Sequence, residues 1–215
     1  AEMITNDNIE LITFTGGVPV GKLISRTAGY KRQVLELGGN DPLIVMEDAD
    51  LDKAVDGAML AKFRNIGQAC TAANRVIVHE SVSDAFAQKV TERVKAMKIG
   101  RGTEDGVSIG PLIDSKAVAK ADQLVQDAVS KGASVLTGGK AIDGAGTFYE
   151  PTVLTGVTSA ADIMTEEIFG PVLSITTFTT EEEGIAIAND TEYGLIGYVY
   201  TEDFKRGQRL IEKLQ

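Results

Sequence analysis

The chain has 215 residues, 43% hydrophobic and 24% charged, with a net charge of −10. That balance belongs to a globular protein with material for a sizeable core, and the acidic surplus excludes a nucleic-acid footprint, which needs clustered lysine and arginine. No apolar run is long enough for a membrane span, AEMITNDNIE has no signal-peptide pattern, one cysteine leaves no intrachain disulfide, and one histidine argues against catalysis built on several histidines, including most zinc chemistry, all in keeping with a cytoplasmic setting.

Strand-like and helix-like segments alternate along the chain. Ile9 to Thr15 reads as a strand, followed by a glycine turn and a helix over Val18 to Ala28. Gln33 to Leu37 and Pro42 to Met46 read as short strands around Gly38 and Gly39. Asp50 is a good N-cap for a helix in which Leu51, Ala54, Val55, Ala58, Met59 and Phe63 recur at helical spacing. Arg75 to Val78 is a strand, Ser81 to Met97 an amphipathic helix, and Ile99 to Pro111 a glycine-rich loop. Asp114 caps a helix that runs to Lys131, with Gly132 as its stop. Val135 to Thr137, Val153-Leu154, Val172 to Phe178 and Leu195 to Tyr200 supply further strands, with helices at Glu181 to Asn189 and from Asp203 onward. This order predicts an α/β fold with a mostly parallel sheet and covering helices. A strand at the very start and a helical pattern still running at Gln215 predict a piece of a larger protein.

Four motifs carry possible chemistry. FTGGVPVG, Phe14 to Gly21, turns from strand to helix; glycine there is commonly a geometric need, yet the turn also offers N–H groups at a positive helix end. LELGGN, Leu35 to Asn40, sets Glu36 in an apolar strand, either on its wet face or in a crevice, and the paired glycines point to close backbone approach. FRNIGQACTAANRV, Phe63 to Val76, holds Cys70 just past a helix ending near Gly67. A lone cysteine is either a small buried hydrophobe or a nucleophile; a nucleophile after a helix C-terminus needs a base or a nearby positive group. EEIFGPV, Glu166 to Val172, is either a solvated strand-entry turn or a loop built for a ligand.

Together and in this order, the four motifs resemble the aldehyde dehydrogenase superfamily, and the likeness extends through DADLDKAV, GPLID, EPTVL and NDTEYGL. LELGGN with KFRNIGQACTAANR is most similar to succinate-semialdehyde dehydrogenases of the bacterial type. The resemblance implies the three-layer αβα catalytic domain of that family over residues 38–215, truncated before an oligomerisation segment. Residues 1–37 would be the C-terminal remnant of a dinucleotide-binding domain. It implies Cys70 as nucleophile, Glu36 as activator of the thiol or of its hydrolytic water, and Arg64 as the holder of a substrate carboxylate. Gly16, Gly17, Leu37, Glu167 and Phe169 would contact NAD or NADP, with Glu167 on the ribose and Phe169 beside the nicotinamide. The implied partners are a small aldehyde and, in the parent protein, further copies of itself, with neither nucleic acid nor membrane. With most of the cofactor domain missing, the chain alone is expected to be inactive. Two positions depart from the family pattern: Gly17 stands where serine is usual and Pro19 where an acid is common, so no side-chain contact from position 17 is available. Ala72 replaces a second cysteine that some relatives use as a redox partner.

Rival readings are a dehydrogenase for another semialdehyde or an aliphatic aldehyde, a non-catalytic isolated domain, and a thiol hydrolase using His79 as base for Cys70.

Overall fold

The computed structural model describes residues 2–215 and divides into two compact units, one running to Gly39 and the other Asn40–Gln215. The first holds a short helix α1 (Glu2–Thr5), then β1 (Leu11–Thr15), α2 (Val18–Thr27) and β2 (Arg32–Glu36). Its two strands pair in parallel, Leu11 opposite Arg32 and Thr15 opposite Glu36, so α2 is the crossover of a single βαβ unit. Pro19 sits in the first turn of α2, where its missing N–H costs nothing.

The second unit is a six-stranded sheet with helices on both faces. In chain order it contains β3 (Asp41–Val45), α3 (Leu51–Phe63), β4 (Ala73–His79), α4 (Glu80–Lys95), α5 (Ser115–Ser130), β5 (Ser134–Thr137), β6 (Thr152–Thr155), β7 (Val172–Phe178), α6 (Glu181–Asn189), β8 (Tyr198–Tyr200) and α7 (Phe204–Lys213). The strand order is β5-β6-β7-β4-β3-β8, and every pair is parallel except β5 with β6. Side chains alternate across each strand, which assigns the layers. Leu43, Val45, Val76 and Val78 join Ala54 and Val55 of α3 and Phe86 and Val90 of α4 in one core. Ile44, Met46 and Ile77 point the other way, to Ala188 of α6 and Leu210 of α7. The resulting αβα sandwich explains why the apolar residues run consecutively at Leu43–Met46 and Val76–Val78: both faces are covered.

The capping residues act as their chemistry dictates. Asp50 accepts from the Asp52 and Lys53 amides at 3.1 and 3.2 Å, Asp114 from Ala117 at 2.8 Å, and Asp203 from Lys205 at 2.8 Å. Strand and helix ends lie within a few residues of the predicted ones, with two informative exceptions. The helix expected to reach Gly67 stops at Phe63, and the last strand begins at Tyr198, not Leu195. In both places the chain leaves regular structure to build loops at the N-terminal edge of the parallel strands.

Candidate functional site

The chain enters β3, β4, β6, β7 and β8 at that edge, and Cys70 lies in the turn before β4. After Phe63 the chain takes three consecutive left-handed residues, Asn65 (φ 50°), Ile66 (φ 63°) and Gly67 (φ 75°). Among the described residues the non-glycine positions with positive φ are Asn65, Ile66 and Phe169. A β-branched residue in this region costs on the order of 1–2 kcal/mol, so tertiary contacts must hold it there. They do: Ile66 packs against both neighbouring cores, and Asn65 Nδ2 donates to the Gln68 carbonyl at 2.7 Å. Gln68 Oε1 in turn accepts from the Ile113 amide at 2.9 Å, tying the thiol turn to the GPLID segment.

Gly67 is the point where the thiol turn meets the loop of Glu166 to Gly170. A Cβ there would collide with the carbonyl of Gly170 and crowd the carbonyl of Lys62. Positive φ and close backbone approach both demand glycine. Gly67→Ala is therefore expected to destabilise the fold by roughly 2–4 kcal/mol, the left-handed penalty plus backbone displacement. Thermal unfolding of the full-length protein checks this; a melting temperature equal to that of the unsubstituted protein would contradict it.

Cys70 is half-buried, not sealed in aliphatic packing. Its neighbours Ala69 and Thr71 line a cavity of about 180 Å³ with Arg64, Gly57, Tyr198 and Tyr200. Gly57 of α3 lies against the Tyr200 hydroxyl with no room for a Cβ, and the Tyr198 hydroxyl donates to the Thr71 carbonyl at 2.8 Å. Burial raises both phenols, keeping them protonated donors. Arg64 itself is exposed. Thus the structure brings together the surroundings of Cys70 and the guanidinium of Arg64 and, through Gly67 and Gly170, the loop with half-buried Glu167 and the 39% exposed ring of Phe169.

The remaining predicted residues lie in the first unit and are gathered there. The Gly16 amide donates to the Glu36 carbonyl at 3.0 Å, and Leu37 covers Gly21 on the first turn of α2. The Glu36 side chain is exposed, on the wet face of β2. Gly17 is the N-cap of α2, with no side-chain cap, and a Cβ there would meet only the Pro19 ring. An open, uncapped helix start fits a phosphate. In the second unit, a carboxylate, Glu167, close in sequence to an exposed aromatic, Phe169, has the chemistry to take a ribose and a nicotinamide. Among the described residues no cluster could hold a metal ion, and no helix is long and apolar enough to cross a membrane.

The electrostatics beneath the thiol turn were not legible in the motifs. Lys62 is fully buried and donates to Asn74 Oδ1 at 2.8 Å. Burial pushes its ammonium down to about 7, against the pull of the Glu167 and Asp41 carboxylates. Asp41 is pushed up to about 7, chiefly by burial, while the Ile196 amide, Arg75 and Lys62 oppose that rise. Arg75 is buried too, and donates to the carbonyls of Asn40, Ile187 and Ala188 at 2.8–2.9 Å. The sequence did hold one signal: Lys62 follows Leu51, Val55 and Ala58 on the apolar stripe of α3.

His79 is not a partner for Cys70. It caps α4, its Nδ1 accepting from the Ser81 amide at 3.3 Å, with Nε2 3.2 Å from the Thr179 carbonyl. All of β4 separates it from the thiol turn, roughly 20 Å of extended chain. The Cys–His hydrolase reading ends there.

Comparison with known proteins agrees with this geometry. A sequence profile described as "Aldehyde dehydrogenase family" matches residues 1–215. The chain is 46% identical to the succinate-semialdehyde dehydrogenase [NADP(+)] of Escherichia coli K12, over 100% of this chain and 45% of that protein. It is 48% identical to a glutarate-semialdehyde dehydrogenase of Pseudomonas putida, again over 100% of this chain and 45% of the relative. A crystal structure of betaine aldehyde dehydrogenase from Staphylococcus aureus in complex with NAD+ superposes with a TM-score of 0.92 at 38% identity, covering 99% of this chain and 43% of that one. The chain thus spans less than half the length of the relatives it matches. With its whole length matched and nearly half its positions identical to these relatives, the chain belongs to the aldehyde dehydrogenase family.

Proposed function

We propose that the chain is the thiol-bearing part of an NAD(P)-dependent dehydrogenase that oxidises a carboxylated aldehyde, succinate semialdehyde in the first place, to the acid. The observation that carries this reading is the shared cavity: both neighbours of Cys70 and the Arg64 side chain line one hollow. A guanidinium fork suits bidentate pairing with a carboxylate at the far end of a short substrate. Relatives named for succinate and glutarate semialdehydes support the same class.

The Cys70 thiolate attacks the aldehyde carbon, and the new oxyanion is met by the Cys70 backbone N–H. When bound, the oxidised nicotinamide supplies the hydride acceptor that turns the adduct into a thioester. Glu36 deprotonates the water that hydrolyses the thioester, releasing the acid and the free thiolate. Gly16 and Gly17 hold the cofactor phosphates, Leu37 braces that turn, Glu167 takes the ribose and Phe169 flanks the ring.

A substrate panel tests the assignment. In the full-length protein, Arg64→Ala is expected to raise KM for succinate semialdehyde by about 10–100-fold, the loss of a charge-assisted hydrogen-bond pair. An uncharged aldehyde of equal length is expected to change little. Equal effects on both would refute the carboxylate role and favour an aliphatic aldehyde. The 215-residue chain alone, run on the same panel, is expected to give only trace rates; rates like those of the full-length protein would overturn that part of the reading.

A further inference from the structure

A lysine with no exposed surface needs a reason, because taking an ammonium out of water costs several kcal/mol that pairing must offset. Lys62 sits at the end of α3, one residue before the helix gives way to the left-handed turn. Its ammonium is fixed to Asn74 at the start of β4, and the Asn74 carbonyl accepts from Ser174 Oγ of β7 at 2.7 Å. The two carboxylates whose charge it feels are Glu167, on the loop before β7, and Asp41, at the start of β3. Its own carbonyl and that of Gly170 flank Gly67. The end of α3, the thiol turn and the loop carrying Glu167 therefore converge on this residue. A neutral side chain would satisfy Asn74 equally well; only a cation also acts on Glu167.

We propose that Lys62 is a positioning residue: from beneath the thiol turn its charge holds the Glu167 carboxylate, and with it the loop of Phe169, in the arrangement that takes the cofactor ribose. This rests on the reading of Glu167 as a cofactor contact. Lys62 touches neither aldehyde nor cofactor, so its loss is felt in cofactor binding and not in the thiol chemistry. The charges that act on Lys62 are those of Glu167 and Asp41; the charge of Glu167 also acts on Asp41 and Tyr193, and Arg75 acts on Asp41. Raising the pH through neutrality withdraws the Lys62 charge and adds that of Asp41. Both changes loosen the hold on Glu167.

The test is calorimetric titration of NAD+ and NADP+ into the full-length protein and its Lys62→Met, Glu167→Gln and double variants. Methionine keeps the length and removes the charge. Each single variant is expected to raise the cofactor Kd by about tenfold, and the double variant by no more than either single one, because the two residues act as a unit. The KM for aldehyde and kcat at saturating cofactor should stay within about threefold in Lys62→Met, a split that a general folding defect would not produce. If Glu167→Gln weakens binding but Lys62→Met does not, or the effects add, the Lys62 inference is wrong and the cofactor reading survives. If Glu167→Gln leaves Kd unchanged, the cofactor reading of Glu167 fails first and the inference goes with it. A further measurement needs no Lys62 variant: Kd of the unsubstituted protein should rise between pH 6 and 9 and that of Glu167→Gln should stay flat. A flat profile in both would overturn the proposal.

Discussion

Cys70→Ser is expected to lower kcat of the full-length enzyme by at least about a thousandfold, the scale seen when a covalent nucleophile is removed. The cost falls on chemistry and not on folding, because serine is nearly isosteric and the thiol makes no hydrogen bond that holds the turn. The strained turn is held instead by Asn65 with Gln68, by Gln68 with Ile113, and by the seat of Gly67 on Gly170. The variant should therefore melt close to the unsubstituted protein and bind cofactor normally. Alkylation gives a second readout. With one cysteine in the chain, iodoacetamide modification at Cys70 should track loss of activity mole for mole within this segment. Full turnover by the serine variant would remove covalent catalysis from the scheme.

Glu36→Gln is expected to reduce steady-state turnover by about 10²–10⁴-fold, the contribution of a positioned general base. The shape of the loss separates its two possible duties. If Glu36 serves the hydrolytic water, mixing enzyme with saturating aldehyde and cofactor should release one equivalent of reduced nucleotide per site and then stall, with the acyl group retained on Cys70 and visible by intact-mass measurement. If Glu36 activates the thiol, the burst itself disappears. Unchanged steady-state rates would show that the exposed carboxylate at the end of β2 is only a solvated strand residue, the bland reading of LELGGN.

Much of the architecture was legible from short-range signals. β7 and α6 fall on the predicted residues because Val172, Leu173, Ile175 and Phe178, with the β-branched Thr176 and Thr177 among them, mark a strand, and Thr180 before three glutamates marks a helix start. The motifs, through the family resemblance, also singled out Cys70, Arg64, Glu167 and Phe169 as candidates. What failed was geometry set by distant partners. The helix expected to continue to Gly67 breaks at Phe63 because Gly67 must lie against Gly170, over a hundred residues later, and that contact forces Asn65 and Ile66 into a conformation no local preference selects. His79 looked like a free base at a strand end and is a helix cap held by Ser81 and Thr179.

The sequence by itself determined the alternation of elements, their caps and the family likeness, and it named the candidate reactive side chains, since periodicity, cap chemistry and motif spacing are properties of neighbouring residues. Only the tertiary structure decided the strand order, the antiparallel seat of β5, the cavity that Arg64 shares with the neighbours of Cys70, and the burial of Lys62 beneath them. The reason is physical: a buried charge and a left-handed turn are unfavourable locally, and they persist only because contacts made far along the chain outweigh their cost.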